Sequence, residues 1–130
     1  MSGISAYARK AMLDWVLGGA APTRPTAWGL GLSLGTPSST AGSEMSVAGY
    51  LRQNFTFGAA ASPGGSAFNT VAATFLVNSA CTIKGWGLWD TVLSSNSGNL
   101  LAFGQLSASS VMASGDLLAF SISACKISLA

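Results

Sequence analysis

The chain has 130 residues and a formal net charge of +2, and only 8% of its residues are charged while 49% are hydrophobic, whereas ordinary soluble domains carry about 25% charged residues. Its length predicts one domain over 1–130, its six scattered Lys and Arg residues exclude a basic stripe for nucleic acid, and no apolar run is long enough to span a membrane. Because small polar side chains must replace charged ones at the surface, the composition favours a subunit that associates with other proteins.

A helix is predicted near the N-terminus over 4–17, and its cap extends the helical unit to 1–19. Ser2 or Ser5 is placed to cap its start, and Gly18 and Gly19 are placed to end it. The pattern leaves two interpretations open, since the apolar face either packs on the domain's own sheet or docks at a subunit interface. The apolar residues that recur at helical spacing are Ile4, Tyr7, Ala8, Ala11, Met12, Trp15 and Val16.

After an extended connector over 20–26, apolar residues alternate with small or polar ones, as they do in half-buried strands. The segment 35–46 is rich in Gly, Ser, Thr and Pro and is predicted to be a long loop. We therefore predict an all-β fold, a jelly-roll-like antiparallel β-sandwich of six to eight strands over 27–130, preceded by the one α-helix. The predicted strands are 27–34, 48–57, 67–77, 81–90, 99–106, 107–111 and 117–129.

Two tryptophans and several glycines stand out within the predicted strands. Regular alternation over 81–90 places Trp86 and Trp89 on opposite faces of the strand, so at least one leaves the interior unless both faces are covered. The glycines indicate bulges or the close approach of another backbone. They stand at positions 29, 31, 85, 87 and 104.

The residue types argue against catalysis. The G-L-S-L-G segment at 31–35 has the form of a hydrolase nucleophile turn, but the chain has no histidine to accept the proton from Ser33. Cys81 and Cys125 cannot fill the four positions of a zinc site, and we expect them to be buried free thiols. We therefore expect no enzyme activity, no cofactor and no metal. The carboxylates are scattered singly, at Asp14, Glu44, Asp90 and Asp116.

Large side chains that an interface favours are spread over the helix and the strands. Aromatic residues and arginine are common in the centres of protein–protein interfaces. We therefore expect a protein-binding surface and no catalytic, cofactor or metal site. The candidate interface residues are Tyr7, Trp15, Trp28, Tyr50, Arg52 and Trp86.

Six short segments follow one another in a distinctive order. They are A-M-L-D-W-V-L-G-G at 11–19, W-G-L-G-L-S at 28–33, G-Y-L-R at 49–52, W-G-L-W-D at 86–90, G-N-L-L-A-F-G-Q-L at 98–106 and S-G-D at 114–116. In this order and spacing the chain resembles a family of small virion structural proteins of tailed bacteriophages. Members of that family are often labelled tail fibre protein, and some serve as capsid cement.

This resemblance implies a place in the virion, on the capsid or on the tail. The sequence contains neither the elongated repeat nor the coiled coil that a fibre usually needs, which favours capsid cement. We expect a decoration protein that binds the major capsid protein on the outer surface of the shell and bridges capsomers as a homodimer, or alternatively as a homotrimer. A tail-fibre, tail-tip or receptor-binding subunit is the other interpretation.

Overall fold

The computed structural model of the chain describes residues 2–40, 44–47, 49–61, 65–93 and 97–128. These ranges contain one helix and nine strands, one more than the upper end of the predicted six to eight, and every strand pairing is antiparallel, which confirms the predicted mainly β fold. The elements in chain order are β1 (Ser2–Ile4), α1 (Ala6–Val16), β2 (Gly29–Ser33), β3 (Gln53–Asn54), β4 (Ser66–Phe68), β5 (Ala73–Leu76), β6 (Cys81–Trp89), β7 (Leu100–Met112), β8 (Leu117–Phe120) and β9 (Lys126–Ser128).

The strands form one large sheet and two small ones. The large sheet has five strands in the order β1-β7-β6-β2-β3, and the small sheets are the pairs β4-β9 and β5-β8. Apolar side chains of the small sheets meet one face of the large sheet, so this face encloses the core. The residues at its centre are Leu30 and Leu32 of β2, Ile83, Trp86 and Leu88 of β6, Phe75 of β5 and Phe120 of β8.

The helix begins later than the sequence predicts. Ile4 belongs to β1, where it pairs with Ala102 of β7, and α1 starts at Ala6. Ser5 separates the two elements because its hydroxyl does two tasks: it accepts the backbone N–H of Ala8 at 3.0 Å and donates to the carbonyl of Leu100. The helix is thereby capped and tied to β7 by one side chain.

One buried asparagine explains why two predicted strands are each divided in two. The side chain of Asn69 donates to the carbonyls of Val71 and Ser121, both at 2.8 Å, and accepts the N–H of Cys125 at 2.8 Å. It thereby holds the chain reversal after β4 beside the one between β8 and β9. The predicted continuous strands 67–77 and 117–129 are therefore wrong, and each contributes to both small sheets.

Two other predicted strands also differ from the structure. The range 48–57 is mostly irregular, and within it only the two residues of β3 pair with β2. Phe55 is nevertheless fully buried. Residue 48 lies outside the described residues. The ranges 99–106 and 107–111 form a single strand, β7.

An irregularity in β6 changes the predicted alternation. The register between β6 and β7 shifts between Ile83 and Gly85, and a bulge of this kind turns the following side chains to the other face. Ile83, Trp86 and Leu88 consequently all reach the same core. Regular alternation over 81–90 is therefore wrong, although Trp86 and Trp89 still point to opposite faces.

Candidate protein interface

Two of the predicted interface residues, Tyr50 and Arg52, surround the buried carboxylate of Glu44. The guanidinium of Arg52 donates from Nε to one oxygen of Glu44 at 2.8 Å and from Nη2 to the other at 2.7 Å. The hydroxyl of Tyr50 donates to Glu44 at 2.9 Å. Burial and the neighbouring carboxylate raise the pKa of Tyr50, so the phenol keeps the proton that it donates.

Arg52 is buried by further contacts inside the domain. Its guanidinium carbon lies 4.4 Å from the ring centre of Trp89, a cation–π contact. Its Nη1 donates to two backbone carbonyls, those of Thr91 at 3.1 Å and Ser97 at 2.8 Å. Arg52 is 4% exposed, so it has almost no surface to offer a second protein and we no longer place it in the interface.

Glycines in the strands make room for this cluster on the second face of the large sheet. A Cβ atom at Gly31 would lie 2.5 Å from a carboxylate oxygen of Glu44 and 2.6 Å from the hydroxyl of Tyr50. A Cβ at Gly87 would overlap the ring of Trp89. At these two positions the expected approach of another backbone is wrong, because side chains are the approaching groups, whereas at Gly29 a Cβ would lie close to the backbone carbonyl oxygen of Thr91.

Trp86 lies on the opposite, core-facing side of the sheet. Its indole covers Gly104, where a Cβ would collide with the ring, and it belongs to the buried core. Trp86 and Trp89 are both buried because the two faces of the sheet are both covered. Trp86 therefore also leaves the set of interface candidates.

The remaining aromatic candidates come together at the helix. Tyr7 and Trp15 lie on the side of α1 that faces the connector, and with Trp28 they line a groove of about 490 Å³ that opens to solvent. We call this groove the helix groove. Its other lining residues are Ala8, Ala11, Met12, Ala21, Pro22, Thr23, Arg24, Pro25 and Leu101.

The side chains of the helix groove are accessible. Tyr7 is 48% exposed and Trp15 is 62% exposed, whereas Trp28 is half-buried and packs against the core. Arg24 lies above the Trp28 ring, with its guanidinium carbon 5.9 Å from the ring centre. A second hollow, which also includes Phe57 and Ile127, shares Arg24 and Trp28 with the groove.

Helix α1 also carries apolar residues that the candidate set did not include. Leu13 and Val16 within the helix and Leu17 at its C-cap are 59%, 68% and 78% exposed. None of the 11 residues of α1, all of which are described, is buried. This exposure argues against close packing of the helix on the sheet, and docking of its apolar face at a subunit interface stays a prediction.

In ranges 2–40, 44–47, 49–61, 65–93 and 97–128, no three His, Cys, Asp or Glu side chains are grouped as metal ligands. The helix that the structure describes is too short to cross a membrane. Cys81 and Cys125 are both free thiols, as expected, but only Cys125 is buried and Cys81 is half-buried; burial raises the pKa of Cys125 to about 12.

Comparison with known proteins gives the chain a family. A family model described as "Podophage GP4 fiber I protein gp80" matches residues 3–128, which is nearly the whole chain. No curated protein matches significantly. The resemblance to phage virion structural proteins is confirmed at this level. The chain belongs to the Gp80 family of podophage fibre proteins, which are structural proteins of the bacteriophage virion.

Proposed function

We propose that the chain is a non-enzymatic subunit of a fibre on a podophage virion, held to neighbouring proteins through helix α1. The observation that carries this proposal is a helix without a single buried residue that exposes large apolar side chains, on a domain whose sheet is covered on both faces. Monomeric proteins seldom expose apolar patches larger than about 300–600 Å². The name of the matched family, a fibre protein, supports a fibre over other positions in the virion.

The packing of the sandwich supports a structural role for the rest of the domain. The Glu44–Arg52 pair and Asn69 join segments that are distant in the sequence, and both are buried. Such networks fix one arrangement of loops. The domain therefore provides a rigid support that presents α1 to a neighbour.

Capsid decoration is the second candidate. It is favoured by the compact sandwich, because the described ranges contain neither elongated repeats nor a long helix. In this alternative the chain binds the major capsid protein on the outside of the shell, and α1 lies at the contact between capsomers.

Copy number and position in purified virions distinguish the two candidates. Quantitative mass spectrometry should give the ratio of this chain to the major capsid protein, and gold-labelled antibody should locate it. A ratio far below one with label at a fibre supports the proposal. A ratio near one with label over the whole shell supports decoration instead, and absence from washed virions contradicts both.

A variant tests the part assigned to the helix. Trp15→Glu places a charge in the helix groove at an exposed position, so we expect the chain to fold and to be lost from virions. Leu117→Glu is the matched control, because Leu117 is 65% exposed on β8, outside the groove. Equal incorporation of both variants would contradict attachment through α1.

A further inference from the structure

The second hollow, next to the helix groove, enters the sandwich itself, and α1 contributes none of its described lining residues. It has a volume of about 450 Å³, and we call it the sandwich pocket. Leu88 of β6 lines it from the large sheet, and Ala67 of β4 and Ile127 of β9 line it from a small sheet. Ala67 and Ile127 are direct partners in the β4-β9 pair, so they reach the pocket from the same face of that sheet. The pocket therefore lies between two layers of the fold.

The lining of the sandwich pocket is mostly apolar. The half-buried rings of Trp28 and Phe57 complete its walls and pack against the core. Among the described lining residues the only neutral polar side chain is that of Thr56, whose hydroxyl is hydrogen-bonded to that of Thr70 at 2.8 Å. A sugar or a peptide would place several donors and acceptors against these walls without partners, which is costly. The lining therefore favours a ligand whose body is a hydrocarbon.

The size and position of the pocket suit a linear hydrocarbon. Small-molecule sites usually have volumes of about 300–1,000 Å³. Packed sheets lie about 10 Å apart, and side chains from both layers fill the space between them. Ala67 contributes only a methyl group at this place, so the pocket continues the core that Leu88 belongs to. An alkyl chain would fill it in the way that a larger core side chain does.

One cation lies at the sandwich pocket, the exposed side chain of Arg24. Its guanidinium carbon is 5.9 Å from the ring centre of Trp28, which holds the charge beside the apolar lining. None of the chain's acidic side chains, all of which are described, is paired with it. A guanidinium binds a carboxylate through two parallel hydrogen bonds, so an acidic ligand complements Arg24. The four acidic side chains are Asp14, Glu44, Asp90 and Asp116, which contact Lys10, Arg52, Asn99 and the N–H of Ala113 in turn.

We propose that the sandwich pocket binds a fatty acid, with its alkyl chain between β6 and the β4-β9 pair and its carboxylate on Arg24. The site goes beyond the structural role of the domain. Because α1 does not line it, binding of the acid and attachment through α1 can fail separately.

The first test is isothermal titration calorimetry of the full chain with sodium hexanoate, octanoate and decanoate, each below its micelle concentration. The affinity should rise by up to about four-fold for each added CH₂ group, because each one removes further apolar surface from water. Octanoate should also raise the urea midpoint of unfolding, since a ligand of the folded state stabilises it. Failure of decanoate to bind would overturn the proposal, as would a lowered midpoint, which is the effect of a detergent.

Three variants locate the acid. Ala67→Leu fills the pocket and should weaken decanoate binding by at least about 10-fold, with circular dichroism showing that the domain stays folded. Arg24→Gln should weaken it by about 10-fold and abolish the preference for octanoate over 1-octanol. Trp15→Glu is the matched control, because Trp15 lines the helix groove and not the sandwich pocket, and it should bind decanoate like the wild-type chain.

The variants also define what would contradict this site. Loss of binding in Trp15→Glu, or unchanged binding in Ala67→Leu, would place the acid outside the sandwich pocket and overturn the proposal. Equal binding of octanoate and 1-octanol by the wild-type chain would remove the part assigned to Arg24 and would also overturn it. Binding of glucuronate but not of decanoate would do the same, because the acid would then be carried on a sugar.

Discussion

Replacing Glu44 by glutamine should destabilise the domain strongly, although the two side chains have nearly the same shape. The carboxylate accepts two hydrogen bonds from Arg52 and one from Tyr50, and the side chains of Arg52 and Glu44 are 0% and 2% exposed. In Glu44→Gln the charge of Arg52 is buried without its counter-charge. The amide NH₂ also replaces one of the oxygens that now accept hydrogen bonds.

The size of the effect follows from what Arg52 retains. Removing one partner of a buried ion pair typically costs about 3–5 kcal/mol. Arg52 keeps the carbonyls of Thr91 and Ser97 and the face of Trp89. We therefore expect the free energy of unfolding to fall by about 3 kcal/mol, at the lower end of that range.

Urea unfolding followed by tryptophan fluorescence, at one fixed protein concentration, measures the effect. Asp14→Asn is the control, because it removes an ion pair at the surface, Lys10–Asp14, whose side chains are 78% and 45% exposed. The control should leave the unfolding midpoint unchanged. If Glu44→Gln unfolds at the same midpoint as the control, the buried pair does not hold the loop and the reasoning is refuted.

Four further outcomes are expected. Gly31→Ala should lower the free energy of unfolding by about 1–3 kcal/mol, because its Cβ would lie 2.5 Å from a buried carboxylate oxygen. Gly115→Ala is the control, since open space surrounds the new Cβ, and it should show only the smaller cost of placing alanine at a positive φ. Ser5→Ala should cost about 1–2 kcal/mol in the same urea assay, because the helix cap is lost. A thiol reagent at pH 8 should label the partly exposed Cys81 quickly and Cys125 only as fast as the protein unfolds, since burial raises the pKa of Cys125 to about 12; equal rates would contradict this. Because that folded pKa lies above the ordinary value near 9, stability should be intact below pH 9 and should fall as the pH rises from 9 towards 12, with a smaller fall in Cys125→Val.

The regular parts of the fold could be predicted because their patterns are local. Leu30 and Leu32 alternate with glycines in β2, and the structure places both leucines in the core. The helix ends where Gly18 adopts a positive φ of 89°, a conformation that glycine adopts readily. In these cases a few residues that are neighbours in the sequence determine the local structure.

The breaks in the strands could not be predicted, because their causes are distant in the sequence. Asn69 divides two predicted strands through hydrogen bonds to residues up to 56 positions away. The shift after Ile83 arises from the register of β6 against β7. The alternation of apolar and polar residues along a strand does not indicate either of these distant contacts.

In the candidate interface, too, the locally determined part could be predicted and the part that depends on distant contacts could not. Helical spacing placed Tyr7 and Trp15 on one side of the helix, and the structure brings Trp28 to them. Arg52 appeared available because charged residues usually lie at the surface. Its ion pair with Glu44 depends on how an irregular loop returns to the sheet, which no short pattern contains.

The exposure of α1 follows from how the rest of the chain covers its own sheet. The small sheets cover one face, and Pro37, Glu44 and Arg52 cover parts of the other, over Gly85, Gly31 and Trp89 in turn. The helix is tied by Ser5 at the start of β7 and so lies beside a sheet whose two faces are already covered. The apolar side chains that α1 exposes in that position could be buried only against another protein. The same buried ion pair that stabilises the domain therefore helps to leave α1 exposed.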